Sequence, residues 1–248
     1  MASKNFRGKI CVYCAAATAE TADHVVCRSF FDNRLRRNLP KAPACKQCNG
    51  LKSELEHYLT AVLPFASGHH AALRGQQEVV RRRLANNASL REKLRAGMRH
   101  IGVHTADGIV EDRLAMPFDG EAYKRYLVLV ARGLVWTEWK VVVPADYFVR
   151  AYSMTARRFV DFQRTILHLG ENTRVRRSLA EGAFVYTGAC AIDDPAFSTW
   201  KIDLYENVDL VSHEVDGRHH EIASAVLTGP PDMAELFQRL QRACDVVQ

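Results

Sequence analysis

The apolar positions fall into helical and alternating runs that change character along the chain. In residues 49–63, Leu51, Leu55, Tyr58, Leu59 and Val62 recur every three or four positions, which predicts a helix closed by Pro64. In residues 66–100 the helical spacing continues through Val79, Val80, Leu84, Leu90 and Leu94, with a break or cap at Asn86-Asn87 and a loop at His69-His70. From Ile101 onward, shorter runs dominate. Residues 101–105 and 108–116 read as strands around an Ala106-Asp107-Gly108 turn, 122–135 as a buried helix and 139–143 as a strand. Residues 154–169 read as a helix, 184–191, 199–205 and 208–215 as strands, and 233–247 as a closing helix. Strands joined by turns and interleaved with helices predict an α+β domain with a mainly antiparallel sheet.

Residues 1–48 show no such periodicity. Residues 25–31 are β-branched and aromatic, suited to a short strand or to a bend into a loop, and Asp32-Asn33, Pro40 and Pro43 interrupt the chain. Order there has to come from something other than a repeating apolar face, and the cysteines supply a candidate. Cys11 and Cys14 form one C-x-x-C pair and Cys45 and Cys48 another, while Cys27, Cys190 and Cys244 stand alone. Two such knuckles provide the four thiolates of a tetrahedral structural Zn2+ site. A redox motif needs one pair, so the second pair argues for metal.

The chain has 248 residues, 48% hydrophobic and 25% charged, which supports a packed core and excludes a disordered or collagen-like chain. No apolar run approaches the ~20 residues of a membrane span, so no membrane partner is expected. The polar, basic first ten residues do not read as a signal peptide, so a cytoplasmic location is expected. The net charge of +6 is unevenly spread: residues 1–100 hold 18 Lys and Arg against 7 Asp and Glu, and the remainder holds 16 against 21. That asymmetry points to a polyanionic partner for the N-terminal part. Arg81, Arg82 and Arg83 are the candidates for phosphate contact, set against a solvated helix face.

Inside the zinc frame lies Asp23-His24, and the second knuckle continues as Cys45-x-x-Cys48-Asn49-x-x-Lys52-Ser53. This combination resembles the HNH endonuclease family over about residues 8–65. The resemblance implies a ββα-metal fold stapled by zinc, with His24 as general base and Asp23 and Asn49 holding a catalytic Mg2+ or Mn2+. It also implies phosphate contact by Lys52 and a bracing asparagine, for which Asn38 is preferred over Asn33. The chemistry is coherent: a near-neutral imidazole suits water activation, and a carboxylate and an amide oxygen are hard ligands. Glu56 and His57, about two turns beyond Asn49, could reach the site, but exposed helix residues are the preferred reading; plainer readings also stand for His24 as a structural histidine, Asp23 as a turn or cap residue, Asn49 as a helix cap and Lys52 as a solvated helix lysine.

The expected organisation is therefore a nuclease module over 1–65, a basic helical connector over 66–100 and an α+β domain over 101–248. The expected function is metal-dependent hydrolysis of DNA; the alternatives are a non-catalytic zinc-ribbon nucleic-acid binder and a protein-interaction module. Residues 101–248 carry no motif and are candidates for a homo-oligomer or protein-partner contact. His213, His219 and His220 read as surface loop residues rather than as a second metal site.

Overall fold

The computed structural model describes residues 5–104, 108–155, 172–206 and 222–235, together with Val160 and Arg164. The chain begins with a two-stranded antiparallel ribbon, β1 (Thr21–His24) and β2 (Lys41–Ala44), with Asp23 opposite Ala42 and His24 opposite Lys41. α1 (Lys46–Val62) follows directly. Cys45 caps it: its sulfur accepts the Cys48 N–H at 3.4 Å. The prolines hide β2 in the sequence. Pro43 lies on the outer side of this two-stranded ribbon, where its carbonyl accepts the Val12 N–H at 3.0 Å and its missing N–H is tolerated. The chain bends after His24 into a turn over Arg28–Phe30, so 25–31 forms no strand.

The basic segment is helical as expected, in pieces: α2 (His70–Gly75), a π-helical stretch at Gln76–Val80, α3 (Arg81–Asn86) and α4 (Ala88–Gly97). Asn87 caps α4 by accepting from Leu90 N–H at 2.9 Å. His69 caps α2 through Nδ1, so His69-His70 is a helix start rather than a loop. β3 (Arg99–His104) and β4 (Val110–Ala115) form a hairpin. Then comes α5 (Gly120–Trp139), capped by Asp119.

Five strands complete the described fold: β5 (Phe148–Thr155), β6 (Asn172–Leu179), β7 (Phe184–Ala191), β8 (Ser198–Leu204) and β9 (Ile222–Gly229). They form one antiparallel sheet in the order β5-β9-β8-β7-β6. Mixed helix and antiparallel sheet, α+β, is thus the observed class. Two expectations are corrected. Residues 139–143 form no strand, because Trp139 ends α5 and Lys140, at φ 59°, closes it by donating its N–H to Trp136 O. Met154 and Thr155 close β5 rather than opening a helix. The rest of 154–169 apart from Val160 and Arg164, the expected strand at 208–215, most of the closing helix, His213, His219, His220 and Cys244 lie outside the described residues.

α5 lies between the ribbon and the sheet, and both of its faces are buried. Toward the sheet, Tyr123 Oη meets Ser224 Oγ at 3.1 Å, and Trp139 and Trp200 set their rings 4.9 Å apart. Toward the N-terminal part, Tyr126 Oη accepts the Cys27 N–H at 3.1 Å. Gly133 lets α5 approach so closely that a Cβ there would stand 2.8 Å from Val25 Cγ1. The Tyr205 hydroxyl donates to Phe30 O at 2.9 Å. One contiguous buried cluster joins Cys11, Val25 and Phe30 to Leu59, Tyr126 and Trp200.

Candidate metal centre and its polar neighbourhood

Cys11, Cys14, Cys45 and Cys48 converge, with their sulfurs all within 4.8 Å of one another. The first knuckle is a tight turn in which Ala15, at φ 56°, donates its N–H to Cys11 O. The second is the first turn of α1. Backbone amides point at sulfur in both, from Ala17 to Cys14 and from Cys48 to Cys45, each at 3.4 Å. Burial pushes the Cys11 and Cys48 thiols up. At Cys14 burial opposes ionisation, but the amides of Ala17 and Ala16 with Cys11 and Cys48 overcome it and bring the thiol down to about 7. Four soft, closely gathered sulfurs beside helix N-terminal amides suit a structural metal such as zinc. Cys27 is buried elsewhere, its thiol pushed up to about 12 by burial.

Arg132, on α5, is a neighbour of this cluster that the sequence analysis did not single out. Its guanidinium donates to Val143 O at 3.0 Å; burial lowers its pKa, and Cys14, Cys11 and Cys48 oppose that. Four thiolates holding Zn2+ would carry a net charge of −2, part of which this buried cation would offset.

The second cluster lies where α1 crosses β1. Thr21 and Asp23, two residues apart, share one face of the strand. Asn49, Lys52 and Glu56 share one face of α1. Asn49 Nδ2 donates to Thr21 Oγ1 at 3.2 Å. Lys52 Nζ reaches Asp23 Oδ2 at 2.9 Å, donates to His24 O at 2.7 Å and pairs closely with Glu56 Oε1. Tyr13, inside the first knuckle, donates its hydroxyl to the same Asp23 Oδ2 at 2.5 Å. Lys52 is 0% exposed, and its ammonium lies 5.9 Å from the Tyr13 ring centroid and 5.7 Å from that of Tyr126.

The expected phosphate contact by Lys52 is therefore corrected: its ammonium is spent inside the protein on two carboxylates and a carbonyl. The two carboxylates outweigh burial and raise the Lys52 pKa. Burial, with Asp23 adding to it, raises the Glu56 carboxyl even beside the ammonium. The two acids thus keep Lys52 charged, while at Glu56 burial outweighs the ammonium. Glu56 belongs to this cluster and is not the exposed helix residue it reads as; its signal was the four-residue spacing from Lys52 on the Asn49 face. Tyr13 carried no signal beyond its place between Cys11 and Cys14.

His24 ends β1 half-buried, and among the described residues its imidazole makes no hydrogen bond. Burial, then Lys41 and Arg28, push its pKa down to about 4, so the ring is neutral. Asn38 does not brace it. That residue adopts φ 62° in the turn before β2, its side chain exposed, a conformation asparagine favours. Asn33 opens a short 3-10 turn capped by Asp32. The backbone at His24 is held instead by Lys52. Arg81 and Arg82 are exposed on α3, and Arg83 Nη2 donates to Ser29 Oγ at 3.4 Å.

Among the described residues no helix is long and apolar enough to cross a membrane. No family model, curated protein or solved structure matches this chain.

Proposed function

We propose that this chain is a zinc-stapled, metal-dependent endonuclease of the HNH type that hydrolyses DNA phosphodiester bonds. The observation that carries the reading is the His24 imidazole. It is half-buried and free of protein hydrogen bonds among the described residues, and it follows Asp23 on the strand that α1 crosses with Asn49. A binding module needs no unpartnered imidazole there. An imidazole with an open nitrogen can take the proton of an attacking water. Lys52 fixes the backbone from which the ring projects.

A carboxylate and an amide oxygen are the kinds of donor a hard divalent ion takes. Asn49 turns its NH2 group toward Thr21, which leaves Oδ1 for a ligand, and both contacts of Asp23 described above fall on Oδ2. Asp23 and Asn49 would hold Mg2+ or Mn2+, whose contribution when bound is positive charge for the phosphate and the leaving oxygen.

A second reading rests on Lys52. Its ammonium already neutralises Asp23, as in a zinc-framed nucleic-acid binder with no chemistry. Incubation with supercoiled plasmid, with and without Mg2+ or Mn2+, separates the two. The nuclease reading expects metal-dependent nicking or linearisation, reduced at least roughly 10²-fold in His24→Ala, with zinc content and DNA affinity retained. Tight DNA binding without cleavage under either metal favours the binder.

A further inference from the structure

The positive charge beside His24 extends well beyond α3. Lys41 is the cross-strand partner of His24. Arg28 opens the turn that follows β1. Arg83 fastens α3 to that turn through Ser29, and Arg36 Nε donates to Phe31 O, the residue that ends it, at 3.0 Å. Arg28 and Arg82 both stand close enough to Arg36 to add to the lowering of its pKa, in which burial leads. Arg28, Lys41 and Arg82 are exposed. Among the described residues none of these five cations forms an ion pair, whereas the nearby Arg34 and Arg74 both pair with Asp32, at 3.2 and 3.7 Å.

Five cations without ion-pair partners, gathered around the turn after β1, β2 and α3, repel one another unless a polyanion meets them. The two aromatic rings of the turn after β1, Phe30 and Phe31, are 1% and 2% exposed, so this turn offers no platform on which unpaired bases could stack. Single-strand binders depend on such platforms, whereas a duplex presents its phosphates without them.

We infer that Arg28, Arg36, Lys41, Arg82 and Arg83 form one phosphate-contacting surface for duplex DNA, running from the β1–β2 ribbon to α3 and passing His24. The surface rests on the nuclease reading for its role in bringing a strand to His24, but its binding is tested separately. The probe is a labelled DNA duplex, with a single strand of equal length beside it, followed by fluorescence anisotropy across a KCl series. The variant is Arg28→Gln/Lys41→Gln/Arg82→Gln, three exposed side chains whose loss leaves the core untouched. An equal charge loss on α5, its cap and β6, Arg125→Gln/Lys140→Gln/Arg176→Gln, is the control.

The expected result is a log K against log salt slope that flattens by about 0.9 per lost contact, for every duplex sequence alike, with the control unchanged. A slope unchanged in the variant, a control that loses as much, or tighter binding of the single strand than of the duplex overturns the surface. Plasmid cleavage by the wild type distinguishes the two ideas. Cleavage with an unchanged variant slope overturns the surface alone, and a flattened slope without cleavage supports the surface and overturns the nuclease.

Discussion

Lys52→Met is the substitution that tests the polar cluster most directly. Methionine keeps most of the aliphatic length and removes the ammonium, leaving Asp23 and Glu56 on either side of a space that holds no cation. The two carboxylates are themselves only 12% and 15% exposed, so water cannot replace the lost partner fully. Removing one member of a buried ion pair costs about 3–5 kcal/mol, a large part of the roughly 5–15 kcal/mol that holds a domain folded. For a chain of this size the melting temperature should fall by on the order of 10 °C.

The loss should depend on pH, with a fixed sign. The Glu56 carboxyl is raised above its ordinary 4.5, so the folded state binds that proton more tightly than the unfolded state. Its contribution is present below 4.5 and is lost as pH rises through the folded value. Without Lys52 the raised value climbs further, with Asp23 and the buried Cys27, Tyr13 and Tyr126 as its remaining neighbours, and the penalty extends to higher pH. Chemical denaturation at about pH 8 and about pH 5.5 should therefore show a larger deficit at the former and a smaller one at the latter. Lys52→Met/Glu56→Gln should recover part of the deficit at the higher pH. A Lys52→Met protein as stable as wild type at the higher pH, or equally impaired at both, would refute the buried-triad account.

Cys45→Ser should release the metal and unfold the ribbon and the start of α1, because zinc binding supplies folding free energy on the order of 10 kcal/mol; metal analysis of the purified protein and protection of β1 amides check it. Gly133→Ala should force α5 away from Val25 and cost about 1–3 kcal/mol, read by thermal melting, with the displacement reported at the neighbouring His24 by its NMR ring shifts.

The four-cysteine cluster was legible in the sequence because metal-ligand spacing is local: two C-x-x-C knuckles survive any uncertainty about what lies between them. The helix after the second knuckle was legible for the same local reason, as were β7 and the core of α5, whose apolar runs are strong. β2 was hidden behind two prolines, and β6 behind the charged Arg174, Arg176 and Arg177, because pairing to a neighbour, rather than propensity, makes them strands.

Lys52 was misread for a deeper reason. Its position in the first turns of a helix says which residues share its face but not what covers that face. The answer comes from residues far away in sequence: Asp23 supplies the charge, Tyr13 comes from the first cysteine knuckle, and Tyr126 comes from α5, held close by Gly133 against Val25. Spacing thus identifies a set of residues able to surround a phosphate. Long-range packing then assigns them, turning Lys52 inward to hold Asp23 and the His24 backbone and leaving Arg28, Lys41 and the α3 arginines to face outward.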